Sequence, residues 1–204
     1  MGRSDVTAVT ITADTVALDA NGISTVAAVA DNAALVLNGA LASGGSVTLS
    51  HGRIVTILSS DDDSAISFTV VGTDVNGDAQ TESITGADTG TATGAAYFLT
   101  ISSITAVGDP AANVTAGVNA SAADVIFAGR ARLKGIYLTS TGTAGTTNFL
   151  NSSPVGTSVM KLSSVASATA TRDVVIPEDG VLFTAGMYIQ YTVSTFLTMT
   201  VFHA

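Results

Sequence analysis

Cysteine and tryptophan are absent from this 204-residue chain, and proline occurs only three times. Without cysteine there is no disulfide framework and no thiolate to act as nucleophile or metal ligand. Charge is scarce as well: 11% of residues are Asp, Glu, Lys or Arg, against roughly 25% in an ordinary soluble domain. No apolar run reaches the ~18 residues of a membrane helix. The opening MGRSDVTAVT has neither the apolar core of a signal peptide nor a Ser or Thr at position 6 for myristoylation. The expectation is a cytoplasmically made protein, soluble or bound into an assembly. Few charges on a chain of positive mean hydropathy fit either a surface covered by neighbours or a hydroxyl-coated β-protein.

The charges present are unevenly spread. Residues 1–128 hold two arginines against thirteen carboxylates, a net −11, whereas residues 129–204 hold five cations against three carboxylates, a net +2. An acidic first part repels phosphate and argues against nucleic acid as a partner. The weakly basic second part suits an acidic surface, including the first part of a neighbouring copy.

The clearest local signal is Ile66 to Ile84, ISFTVVGTDVNGDAQTESI. Ile66, Phe68 and Val70 alternate with Ser67 and Thr69, the pattern of a strand with one buried face. Asp74-Val75-Asn76-Gly77 supplies the reversal, since Asn and Gly accept positive φ. A strict two-residue turn at Asn76-Gly77 places Ile84 on the face opposite Phe68. A four-residue loop with a glycine bulge fits as well.

The same logic repeats along the chain. Residues 1–34 read as an extended N-terminal arm that pairs with another subunit or, nearly as well, as a plain edge strand, with Val6, Ala8 and Thr10 opposed to Val9 and Ile11. Both faces are nearly equally apolar, so register is weakly fixed. Residues 23–34 suit a short helix or a loop. Leu35 to Leu49 reads as strand, turn and strand, Arg53 to Leu58 as a buried strand, and Asp61 to Ser64 as a polar turn. Gly86 to Gly94 reads as a loop, and Tyr97 to Ala106 and Val114 to Val118 as strands. A composition shift at Asn119–Asp124 suggests a domain boundary. Beyond it, strands are expected at 131–139, 147–150, 159–162, 173–176, 181–183, 187–193 and 196–202, with Pro177 to Gly180 as a turn. About a dozen short strands at 8–12-residue spacing mean an all-β protein. It divides into the arm (1–34) and two small β-sandwich or barrel-like domains, residues 35–125 and 126–204, the latter jelly-roll-like.

The stretches LNGALASGGSVTL, GRIVTILSSDDDSAISFTVVGTDVNGDAQTESITGADTG and YFLTISSITA resemble a recurrent all-β module in virion structural proteins of tailed bacteriophages. ARLKGIYL, IPEDGVLF and LTMTVFH are similar to a second such module. Together they cover residues 35–204. The resemblance implies a capsid-decorating (cement) protein or a tail component, located in the virion. Its partners would be major capsid or tail proteins, and it would assemble as a homo-oligomer, a trimer. It transfers no functional residue.

No catalytic residue, cofactor or metal ligand is expected. Asp74 to Asp78 has its glycine at the fourth position of a calcium loop where the sixth is required, and the twelfth position, Thr85, is not Glu. Asp61, Asp62 and Asp63, aided by Asp74 or Asp78, are candidates for a hard cation, but adjacent strand residues point to opposite faces. His51 and His203 lie far apart in sequence, and no G-x-S-x-G elbow accompanies them. Glu82 and Glu178 permit a glycosidase-like carboxylate pair, and Tyr97, Tyr137, Tyr188 and Tyr191 a glycan-binding module, yet aromatics are only 5% of residues. Gly142 to Gly145 lacks the Lys-Ser/Thr of a phosphate loop. N-x-S/T triplets at Asn113, Asn119 and Asn151 read as chance in a Ser/Thr-rich chain. The residues expected at interfaces are Val6, Val9 and Ile11 as arm anchors, and the basic set Arg130, Arg132 and Lys134.

Overall fold

The computed structural model describes residues 5–166 and 169–204. The chain is all-β, 67% strand, and no helix occurs among the described residues. It forms two compact units: a continuous one, Ala17–Ala120, and a split one that joins Met1–Val16 to Ser121–Ala204.

The Ile66–Ile84 hairpin anchors the continuous unit. Strands β5 (Ser67–Thr73) and β6 (Ala79–Thr85) pair antiparallel with Phe68 directly opposite Ile84. Both side chains are buried, so the strict two-residue turn is excluded; a glycine bulge is formed, in a loop one residue shorter than the four-residue alternative. Gly77 N–H donates to Asp74 O (3.1 Å) and Asp74 N–H to Asp78 O (2.9 Å), leaving three loop residues with Gly77 at φ +87°. A type I turn closed by a left-handed glycine keeps both strands in phase. Asp74 Oδ1 accepts from the amides of Asn76 (2.8 Å) and Asp78 (3.0 Å), which fixes the loop. Open space surrounds the position of a Cβ on Gly77. Gly77→Ala therefore meets only the left-handed backbone penalty, about 1–2 kcal/mol, measurable as a lower urea midpoint with an unchanged slope.

Around the hairpin, the other strands of this unit are β2 (Asp19–Ala28), β3 (Ala42–Ser43), β4 (Ser46–Asp62), β7 (Asp88–Val107) and the first half of β8 (Asn113–Phe127). They run in the order β8-β4-β7-β5-β6, with β2 on β8 and β3 on β4. β4 and β7 are long and change register three times against each other, and such bulges bend a strand. The bend lets β7 pair with β4 through Asp88–Ile101 and with β5 through Thr100–Val107. Side chains of β6 close onto the first stretch of β7: Glu82 Oε1 accepts from Ala95 and Ala96 amides (2.6 and 3.2 Å), and Gln80 Nε2 donates to Tyr97 O (2.9 Å). Phe68, Val70, Phe98, Ile101, Ile104 and Val114 form the centre of one apolar core. Two expectations are corrected here. The loop foreseen over Gly86–Gly94 shrinks to residues 86–87, because β4 needs a partner for its last residues. Within 23–34, the expected helix or loop is the strand β2 as far as Ala28, followed by a turn. Leu35 and Leu37 are buried and Val36 exposed, as period two requires, but only Ala34 bridges to a neighbour, Thr105.

In the split unit one sheet runs β1 (Thr7–Thr12), β15 (Phe196–His203), β9 (Ala131–Ser140), β12 (Thr171–Val175), with β13 (Val181–Phe183) also on β9. Its other strands run β11 (Thr157–Ser164), β10 (Gly145–Asn151), β14 (Met187–Thr192), then the second half of β8. Of the readings open for residues 1–34, the edge strand is the one formed within the chain, over part of the segment only. Its first four residues lie outside the described ones, Thr7–Thr12 is an edge strand on β15, and Asp19–Ala28 belongs to the continuous unit. The division between units falls inside β8, at Ala120/Ser121, five residues before the expected one. Asn119–Asp124 is strand and not linker: Ala122 and Ala123 are fully buried, so small residues there reflect close packing.

Candidate interaction surface

The outer face of the β1-β15-β9-β12 sheet is set by register. Thr12, Thr198, Thr139 and Thr171 form one row across four strands; Thr10, Thr200, Tyr137 and Asp173 form the next; Ala8, Phe202, Gly135 and Val175 form the third. The alternate residues Val9, Val201, Ile136 and Val174, with Ile11, Met199 and Leu138, point into the unit. Among the twelve outward positions only Asp173 is charged. Tyr137 is 47% exposed, and Phe202 and Val175 are exposed too. Thr10 and Thr200 hydroxyls bond across the strands at 2.9 Å. Such a face offers hydroxyls and apolar rings with little desolvation cost, which suits a protein contact.

At one end of this face stand two of the expected cations. Arg132 Nη1 donates to the carbonyls of Asp179 (3.3 Å) and Gly180 (3.5 Å), and Lys134 Nζ to Asp179 O (2.9 Å). They thereby hold the Pro177–Gly180 turn while remaining half exposed. Arg130 is exposed beside them. Of the expected arm anchors, Val6 is exposed just ahead of β1, whereas Val9 and Ile11 face their own unit's core. Ile11 is buried and Val9 half-buried on that inner face, so the outward groups of β1 are Ala8, Thr10 and Thr12.

A second feature of the split unit ties its layers together. Tyr191 Oη accepts from the Asp14 amide (3.1 Å) and donates to Asp124 Oδ2 (3.2 Å), and its ring packs against Phe196 with centroids 4.9 Å apart. Burial, and then the Asp124 charge, push the Tyr191 hydroxyl far above its ordinary value of 10. Tyr191→Phe removes both bonds and is expected to lower stability by about 1–3 kcal/mol near neutral pH. Because the folded state holds the proton more tightly than the unfolded chain, this contribution is complete below pH 10 and falls as pH rises beyond it. Urea unfolding at rising alkaline pH should therefore narrow the gap between wild type and variant.

The continuous unit contains one arginine and ten carboxylates. Arg53 is only 1% exposed and donates to Asn119 O. Every exposed Asp, Glu, Lys or Arg charge on this unit is consequently negative, which repels nucleic acid. The carboxylates do not assemble as a cation site. Asp74 and Asp78 sit at the tip of the hairpin, whereas Asp63 lies by its base, where it bonds to Ala87 and Ala111. Asp62 Oδ1 accepts from the Ser64 hydroxyl (2.6 Å) and amide (3.0 Å), which holds its carboxyl below the usual range. Asp63 is fully buried; Oδ1 accepts from the Ala111 amide (2.8 Å), and Oδ2 has no hydrogen-bond partner. Among the described residues no three His, Asp or Glu side chains are grouped to hold a metal ion.

The remaining candidates are dispersed. His203 is buried against Phe127, with ring centroids 5.2 Å apart, and His51 lies on β4 in the other unit. Glu82 and Glu178 likewise belong to different units. Tyr97, Tyr188 and Tyr191 are buried, which leaves Tyr137 as the exposed tyrosine. What sequence reasoning missed is the threonine row. Its signal was the Thr-x-Thr spacing at Thr10/Thr12 and again at Thr198/Thr200, in two strands that meet in register. Compared with known proteins, the chain matches no family model, no curated protein and no solved structure.

Proposed function

We propose that this protein is a virion structural protein of a tailed bacteriophage, an oligomer that decorates the head shell and cements the major capsid protein. The observation that carries the reading is the outer face of the β1-β15-β9-β12 sheet, with one charge in twelve positions and Tyr137, Phe202 and Val175 open to solvent. Pressing such a face against a shell removes apolar area from water at about 25 cal/mol per Å². Threonine hydroxyls satisfy polar groups of the partner at the same contact. The uniformly negative exposed charges of the continuous unit suit the part left in solvent, because charge of one sign opposes association there. The resemblance noted in the sequence points the same way.

Electron microscopy of the virions, with this protein labelled, tests the proposal. Hundreds of copies over the head are expected. About six to twelve copies at the tail, in keeping with its rotational symmetry, would shift the reading to a tail component, and absence from the particle would end it. On the head, Phe202→Glu together with Tyr137→Glu should lower occupancy at least tenfold while leaving the β-rich circular dichroism unchanged.

A further inference from the structure

β1 is an edge strand whose chain leaves its own unit immediately. Residues through Asp14 are bonded to the split unit: Ala13 N–H to Leu197 O (3.1 Å), Ser194 N–H to Asp14 O (2.9 Å) and Asp14 N–H to Tyr191 Oη (3.1 Å). By Asp19 the chain is paired with Val118 in the continuous unit. Between them, Thr15, Val16, Ala17 and Leu18 are all exposed, with Val16 at 39% and Leu18 at 61%. Two apolar side chains thus lie in water on a four-residue connection.

We propose that β1 is exchanged between copies, so that the β1 of one molecule completes the β15 edge of its neighbour in a closed oligomer. Every interaction that β1 makes on β15 forms equally well from a second copy: the six-residue register, the Thr10–Thr200 hydroxyl bond, the burial of Ile11 and the Asp14–Tyr191 pin. The two arrangements differ only at Thr15–Leu18. Four residues span at most about 14 Å when extended, and short hinges favour exchange over folding back. An extended hinge crossing to a neighbour also gives Val16 and Leu18 a protein surface to cover them. Exchange is then the low-cost route to an oligomer, and it does not depend on what the oligomer attaches to.

The absence of native cysteine makes the test direct. Thr10 and Thr200 face each other with hydroxyls 2.9 Å apart, so Thr10→Cys with Thr200→Cys places two sulfurs within disulfide reach. The full-length double variant is oxidised, denatured and run on a non-reducing gel. Exchange predicts bands at multiples of 20.3 kDa that collapse to one band on reduction, and neither single variant gives the ladder beyond a dimer. A lone monomer band with the internal disulfide overturns the proposal, and so does a monomer with two free thiols. Should the pair impair folding, Thr12→Cys with Thr198→Cys reads out the same register.

Discussion

Phe68→Ala should lower the stability of the continuous unit by about 3–5 kcal/mol, seen as a loss of more than 10 °C in the Tm of its unfolding transition. Phe68 is fully buried, stands opposite Ile84 on β6 and Ala106 on β7, and belongs to the core with Val70, Phe98 and Ile104. β5 is flanked on both sides by paired strands. The surrounding backbone therefore cannot collapse into the vacated space, and the cavity penalty adds to the lost transfer energy. Ile84→Val removes one methylene from the same cluster and should cost about 0.5–1.5 kcal/mol. A Phe68→Ala protein as stable as wild type would mean that the hairpin's alternating face is not the core.

That hairpin was legible because its signals are local. Ile66, Phe68 and Val70 fix the buried face, and Asp74 to Gly77 fix the reversal. Only the loop length was open, and the demand that Phe68 and Ile84 share a face settles it. The strands expected over 131–139 and 196–202 form as Ala131–Ser140 and Phe196–His203, although a bulge interrupts the alternation of each. The Gly86–Gly94 stretch was not, since threonine, alanine and glycine carry little preference and become strand only because β4 offers them a partner. Segments 23–34 and 119–124 share this ambiguity: alanine suits a helix, a loop or a tightly packed strand.

The candidate surface was less legible still. β1 and β15 lie at opposite ends of the sequence, and the Thr10–Thr200 bond spans 190 positions. Nothing near residue 10 says which strand it meets, so pairing with another subunit and an edge strand within the chain are equally open to the sequence. The alternation within 6–11 was nevertheless correct in parity: Ala8 and Thr10 face out, Val9 and Ile11 in. The residues the sequence offers as contacts are apolar anchors and cations, whereas half of the open face's positions are threonine. In a chain so rich in that residue, such a row is visible only once register is known.

Gly117→Ala is the substitution expected to do most damage, about 3 kcal/mol or more, with little soluble protein recovered. Its backbone is not left-handed, so conformational freedom is not what glycine supplies there. The register between β2 and β8 jumps from Asp19↔Val118 to Ser24↔Ala116, so the intervening residues of β2 bulge out of the ladder. The start of that bulge lies on Gly117: a Cβ there would overlap Asp19 O and come within 2.6 Å of the Ala20 carbonyl carbon. Glycine inside a strand commonly marks such a backbone crossing. Thr115, one turn of the pleat away, locks the crossing by donating from Oγ1 to Ala20 O (3.0 Å). Relief requires moving β2 as a whole, and with it Ile23, which is fully buried in the core. Overpacking that shifts backbone costs at least the 1–3 kcal/mol of a crowded side chain, roughly, and here no side chain can rotate aside. Gly45→Ala is the matched control: its φ is +80° with open space around it, so it bears only the left-handed penalty of about 1–2 kcal/mol. If thermal unfolding finds Gly117→Ala no worse than Gly45→Ala, β2 does not lie against Gly117 of β8, and the attachment of β2 to the continuous unit must be redrawn.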